Sequence, residues 1–277
     1  MTLNDIVFRA AESYRNRKRK PLVRWLERYG EYLSFPVGLL LLILLWQGLV
    51  SFYHYPPFVL PAPAEVARKF LLMLQDGSLL YHTAFTLKEI VLGLALGLAT
   101  ATATGYMLAK SRLLEHLLAP YIVASQSIPV IAIAPLFIIW FGFGSTSKVI
   151  ICALTVFFPT LVNTLVGIRS VDKDLRDLMR SLNASRWQTL TMLEIPASMP
   201  VLLGGFKVSV TLAVIGAVVG EFIGADRGLG FLINVAKGTL DTPLLFVVIF
   251  TLVVIALLMY LSVVLLERVL LRWQRAK

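Results

Sequence analysis

Few residues in this chain are of a type and spacing that could do covalent chemistry. Cys152 is the single cysteine, which excludes an intrachain disulfide and any multi-cysteine metal site. His54, His82 and His116 are scattered without ligand spacing, so no metal centre is expected. No G-x-x-x-x-G-K-[ST] phosphate cradle occurs, so the chain is not expected to hydrolyse ATP itself. An intramembrane enzyme would set His, Asp, Glu, Ser or Cys in pairs inside apolar segments, and the pattern offers no such pair. What stands out is isolated charge in apolar surroundings. Glu221 is a carboxylate in an apolar stretch, which is costly and functional by default. Near the outer end of that stretch it can reach water, Arg227 or a helix terminus, which suits gating or packing better than substrate contact. Lys207 can snorkel to an interface, an inner-vestibule role being the alternative. Cys152 reads as a buried small hydrophobe. Asp226 and Arg227, in a Gly-rich stretch, read as turn residues or as contacts for a docking protein.

The elements that must position these residues follow from composition. The 277 residues are 58% hydrophobic and 15% charged, against about 45–50% apolar and 25% charged in a soluble domain. An all-α, polytopic membrane helix bundle is therefore expected. A crossing needs about 20 mostly apolar residues, and six candidate spans lie at 35–53, 89–109, 118–141, 149–168, 201–223 and 244–266. Pro120, Pro129 and Pro135 interrupt the third. The net charge of +10 follows topology rather than nucleic acid. If the N-terminus is cytoplasmic, segments 1–34, 110–117, 169–200 and 267–277 hold 19 of the 26 Lys and Arg. The outer segments hold five once Lys88, at the membrane edge, is set aside. Both termini are thus expected inside. Residues 1–34 form a basic N-terminal segment without a signal-peptide pattern, and 35–277 the transmembrane domain. From Pro21, Leu22, Trp25, Leu26 and Tyr29 recur at i, i+3, i+4, i+7 opposite Arg24 and Arg28, which predicts an interfacial helix; a solvated basic tail is the alternative. Gly216, Gly220 and Gly224, like Gly93, Gly97, Ala101 and Gly105, recur every four residues and let helices approach closely, within the chain or across a dimer seam.

The long loop 169–200 has structure of its own. Leu175, Leu178, Met179 and Leu182 make one apolar helix face, with Arg176 and Arg180 opposite, set to meet water or a partner. Asn183 suits the left-handed residue that ends a helix, and Ser185 with Gln188 spells a capping box for a second one. That helix should run through Trp187, Leu190 and Leu193 and stop near Pro196. Such an elbow either packs on its own bundle or docks another protein.

Asp177, Leu178 and Met179, then Asn183, Ala184 and Ser185, then Leu193, Glu194, Ile195 and Pro196, resemble the E-A-A, three residues, G, nine residues, I-x-L-P loop of ABC importer permeases. The spacing matches throughout, while Asp replaces Glu, Leu-Met replaces Ala-Ala, Asn replaces Gly, and Leu193 and Ile195 replace Ile and Leu. Leu60, Pro61, Ala62 and Pro63 with Val66 resemble the outer segment of the nitrate/sulfonate/taurine-type branch. Ile128-Pro129, the run from Ala134 to Gly142 with Ser147-Lys148, and Gly220-Glu221-Phe222-Ile223 with Gly228-Leu229-Gly230-Phe231 are similar to that branch in the expected order.

The resemblance implies a fold like that of type I ABC importer permeases, in a bacterial inner membrane. It implies a dimer of permeases, each giving its 169–200 coupling loop to one of two ATPase subunits, with ATP and Mg on those partners and no cofactor in this chain. An extracytoplasmic binding protein would deliver the substrate, contacting Asp226 and Arg227. Pathway candidates are Pro129, Pro135, Lys207, Gly216, Gly220 and Glu221. The branch carries sulfonates, taurine and nitrate, and also vitamins or precursors such as riboflavin and pyrimidines. The spans carry no ring of Arg or Lys that would mark an anion pore, which favours an uncharged or weakly charged heterocycle or leaves selection to the binding protein. The rival is an ion-coupled secondary transporter, which commonly shows internal repeats and paired midplane charges; Glu221 is the only such charge in the pattern.

Overall fold

The computed structural model describes residues 21–272, with side chains from 36 onward, and all regular structure among them is helical. The chain falls into two compact units, one ending at Ala64 and one beginning at Glu65. The first carries α1 (Pro21–Tyr53), which runs through position 34 without a break, so the boundary expected at 34/35 falls inside a helix. The side chains of Leu22, Trp25, Leu26 and Tyr29 lie outside the described ones. Beyond Pro36 the helix is apolar all round, and its leucines at 39–42, 44 and 45 are exposed. A helix of that kind is stable where lipid covers it. Within this unit the Trp46 indole N–H donates to the Pro61 carbonyl at 3.0 Å.

The second unit takes in α2 (Pro63–Gln75) from Glu65 onward, then α3 (Ser78–Lys110), α4 (Arg112–Gln126), α5 (Val130–Phe141), α6 (Ser145–Arg169), α7 (Lys173–Ser181), the single turn α8 (Arg186–Gln188), α9 (Ile195–Gly224), α10 (Leu229–Thr239) and α11 (Thr242–Leu270). Five described helices are long and apolar enough to cross a membrane, or six if the bent pair α4–α5 is one span. The third candidate span, 118–141, which prolines were expected to interrupt, is two helices. The chain breaks at residues 127–129 and turns by 96°. Pro129 lacks an N–H and biases Ile128 away from helical backbone, so neither residue continues α4.

The glycine stripes explain the packing. A Cβ at Gly93 would lie 2.5 Å from Cys152, at Gly97 2.7 Å from the Ala153 carbonyl, and at Gly105 2.8 Å from the Leu161 carbonyl. Numbers rise together on both helices, so α3 and α6 run parallel. On the other flank, Gly205 meets Asn163, Gly216 meets Thr155 and Gly220 meets Lys148, so α9 runs antiparallel to α6. Both stripes therefore serve contacts inside the chain, with α6 clamped between them at a separation that only glycine permits. A buried Thr160–Ser209 hydroxyl pair at 2.8 Å ties α6 to α9 as well. Because α3 and α6 are parallel, α4 and α5 must carry the chain back from one end of the bundle to the other. Arg169 at the end of α6 grips Glu115 of α4 with two guanidinium nitrogens, fixing the start of that return.

Candidate functional site

The elbow between α6 and α9 is built from local turn chemistry. Asp172 caps α7 by accepting from the Asp174 N–H at 2.9 Å. The helix ends at Asn183, whose φ of 51° is left-handed, and the Ala184 N–H returns to the Met179 carbonyl at 3.0 Å. Asparagine tolerates that backbone because its side chain is short and polar. The capping box then forms in both directions, Gln188 N–H to Ser185 Oγ at 3.2 Å and Ser185 N–H to Gln188 Oε1 at 2.8 Å. Leu175, Leu178, Leu182 and Trp187 stand exposed, the last two by 67% and 71%. Met179, Ala184 and Leu193 are half-buried. Asp177 pairs with Arg180 at 2.8 Å on the surface.

Two expectations about the elbow are corrected. The second helix does not stop near Pro196. From Arg186 it widens into a π-helical stretch, Thr189–Glu194, and continues as α9 to Gly224. Pro196 offers no N–H and would crowd an α-helical carbonyl four residues back, and the wide turn just before it relieves both problems. Arg176 does not face outward with Arg180. It is half-buried, donates to the Ile168 carbonyl, and brings Nε to 3.9 Å from the Glu194 carboxylate.

Glu194 is the residue that sequence reasoning missed here. It is 1% exposed and ion-paired to Lys110 at the end of α3, with the Tyr106 hydroxyl at 3.4 Å. One carboxylate thus joins α3, the elbow helix α7 and the root of α9. A cleft of about 760 Å³ opens beside it, lined among others by Tyr106, Lys110, Arg176, Arg180 and Arg186. The available signal was a glutamate inside the loop motif itself and a lysine closing a span, 84 residues apart.

The opposite end holds a second construction. The loop entering α10 is held by three acceptors: Gly228 N–H to His82 Nδ1 at 3.0 Å, Leu229 N–H to Thr86 Oγ1 at 2.8 Å, and Gly230 N–H to Glu221 Oε2 at 2.6 Å. Gly228 has φ 103°, and a Cβ there would fall inside the Glu221 carboxyl. Glu221 is not the lone charge expected. The buried side chains of Glu89 and Lys148 lie beside it. Lys148 also donates to the carbonyls of Phe143 and Gly144. Just outside, Asp226 and Arg227 form an exposed ion pair at 2.8 Å, and the guanidinium lies 4.8 Å from the Phe85 ring centre. The hydrogen bond from Arg227 holds the Asp226 carboxyl below the usual aspartate range.

The remaining candidates are dispersed. Lys207 pairs with Glu267 of α11 at 2.6 Å. Gly216 and Gly220 are buried against α6. Cys152 is buried, its Sγ 3.2 Å from the Ala213 carbonyl. Pro129 precedes α5, and Pro135 lies within it, exposed. No group of three or more His, Cys, Asp or Glu among the described residues could hold a metal.

Comparison with known proteins places this architecture. A family described as "Binding-protein-dependent transport system inner membrane component" matches residues 91–275. Over 255 residues the chain is 48% identical to the riboflavin transport system permease protein RibX of Chloroflexus aurantiacus, covering 92% of this chain and 95% of that one. It is 34% identical to the formylaminopyrimidine transport permease protein ThiX of Halalkalibacterium halodurans, covering 85% of this chain and 94% of that one. Among solved structures, an inward-facing form of the MetNI methionine ABC transporter shares the fold with a TM-score of 0.61 at 16% identity, over 68% of this chain and 94% of that chain.

Proposed function

The chain belongs to the family of inner-membrane components of binding-protein-dependent transport systems, and from that premise we propose that two copies form the substrate passage of an ABC importer, each offering its elbow to a cytoplasmic ATPase subunit. The observation that carries this reading is the exposed apolar stripe of Leu175, Leu178, Leu182 and Trp187 on a turn fixed by Asn183. Exposed apolar and aromatic side chains presented together on a rigid turn are what a docking partner buries. ATP and Mg belong to that partner, and closure of the ATPase pair moves the elbow. Glu194 passes that motion to α3 and α9, since it is bonded to the helices on both sides. The excess of Lys and Arg on the elbow side supports placing that side, and both termini, in the cytoplasm. Asp226 and Arg227, exposed on the other side, are then available to an extracytoplasmic binding protein. The cargo proposed is a small organic molecule of the vitamin or vitamin-precursor class.

The test is co-purification from membranes with the ATPase. Leu178→Asp and Trp187→Ala should each release the ATPase while leaving the permease folded; ATPase retained by the double variant refutes the docking surface. One observation speaks for an ion-coupled carrier, the buried grouping of Glu89, Glu221 and Lys148. Ion-driven uptake by the chain alone in proteoliposomes would decide for it.

A further inference from the structure

Between α4 and α5, in the middle of the chain's return across the bundle, the α-helix ends: Ser127 and Ile128 bond only back to the Ala124 and Ser125 carbonyls, and Pro129 is extended. Non-helical backbone at membrane depth is tolerated only where protein buries it or where it lines a cavity. A cavity of about 490 Å³ lies there. Its walls include Ser125 and Gln126 at the end of α4, Phe137 of α5, Thr155 and Phe158 halfway along α6, and Leu212 halfway along α9. The cavity therefore sits at mid-depth, not at either mouth.

Two features of the lining say what it takes. No charged side chain contributes to it, so a sulfonate or other anion would lose its hydration and find no cation in return. Second, the Gln126 amide and the Ser125 hydroxyl are exposed where they line the cavity and form no side-chain hydrogen bond among the described residues. A primary amide offers two donors and an acceptor, and being exposed and unpaired these groups are free to meet water or a polar cargo. Phe137 and Phe158 supply flat apolar faces, and Phe137 is itself held by stacking on Phe141 at 6.1 Å. We infer that this cavity is the passage site for a neutral, planar heteroaromatic molecule, its rings against the phenylalanines and its polar edge on Gln126, Ser125 and Thr155. The inference rests on the importer reading above and narrows its cargo.

Riboflavin, the cargo in the name of the relative at 48% identity, is the probe. In a Cys152→Ala background, Gln126→Cys should react with a small hydrophilic thiol reagent in purified permease, and riboflavin should slow that reaction at least fivefold while taurine does not. With ATPase and binding protein reconstituted, Gln126→Leu and Phe158→Leu should each cut ATP-driven riboflavin uptake about tenfold, with the ATPase still attached. The inference is overturned by a cysteine that is inaccessible or that riboflavin does not protect, and by variants that transport normally. The protection arm needs the permease alone, so failure of ATPase docking is read separately.

Discussion

Replacing Glu194 with Ala tests whether the elbow is mechanically joined to the bundle. The carboxylate is 1% exposed, and its partners come from α3 and α7. Removing one member of a fully buried ion pair costs roughly 3–5 kcal/mol. That figure is too large here, because Lys110 is 43% exposed and can turn to water, and because Arg176 keeps its bond to the Ile168 carbonyl. About 2 kcal/mol is the reasonable magnitude, which corresponds to roughly a 30-fold larger opening equilibrium for α7. Hydrogen exchange of the amides in Lys173–Ser181 should accelerate by about that factor, while the amides of α9 beyond its midpoint stay unchanged. Glu194→Gln, which keeps hydrogen-bonding capacity without charge, should fall between. In the reconstituted transporter the same Ala variant should hydrolyse ATP with much reduced uptake. Unchanged exchange in α7 would refute the mechanical junction, whatever transport does.

Two further outcomes follow from the opposite end. Gly228→Ala forces a Cβ into the Glu221 carboxyl at φ 103°; strained backbone of about 1–3 kcal/mol plus a lost hydrogen bond of about 0.5–1.5 kcal/mol gives about 3 kcal/mol of destabilisation. Melting followed by a thiol-reactive dye, with buried Cys152 as the reporter, should show it, whereas Gly238→Ala, with nothing within 4 Å, should melt like wild type. Asp226 has its pKa held below the ordinary 3.8 by Arg227, so its charge is present above that value and is lost only as pH falls through the lowered one. Binding-protein affinity should therefore be flat from pH 7 to pH 5 as far as this group is concerned, and Asp226→Asn should weaken it equally at both; a steep loss between them would discard Asp226 as the contact.

What was legible in the sequence is what is local. Asn183 and the Ser185–Gln188 box fix a turn through bonds spanning three to five residues, so a pattern reveals them. The glycine stripes are equally visible, although which helix they face is not. What failed was long-range. Arg176 has the same periodicity as Arg180, yet a buried carboxylate 18 positions on draws it inward. Lys148 counted as an outer-loop charge because the fourth span was expected to begin at 149, but it is in the first turn of α6 and buried. Glu89 marked the start of a span, but that helix begins a full 11 residues earlier at Ser78, which carries Glu89 inside beside Glu221. Charges met as isolated along the chain become a cluster only when three helices meet.

The two constructions share two helices, and this constrains how an elbow can work. Glu194 joins α3 to α9 at one end through Lys110, and the acceptors His82, Thr86 and Glu221 join the same helices at the other through the loop before α10. Between them α6 is locked by backbone contacts that leave no room for a methyl group. Packed interfaces of this kind switch between arrangements rather than bend. A displacement delivered at Asn183 therefore carries α3, α6 and α9 as one body. The α4–α5 pair differs: α4 has no buried residue, and across its hinge, residues 127–129, only the tighter bonds from Ser127 and Ile128 to the Ala124 and Ser125 carbonyls remain. Relative motion has to be taken up at that hinge, and the mid-depth cavity, whose walls come from α4 and α5 on one side and α6 and α9 on the other, is the space whose shape must change when it is.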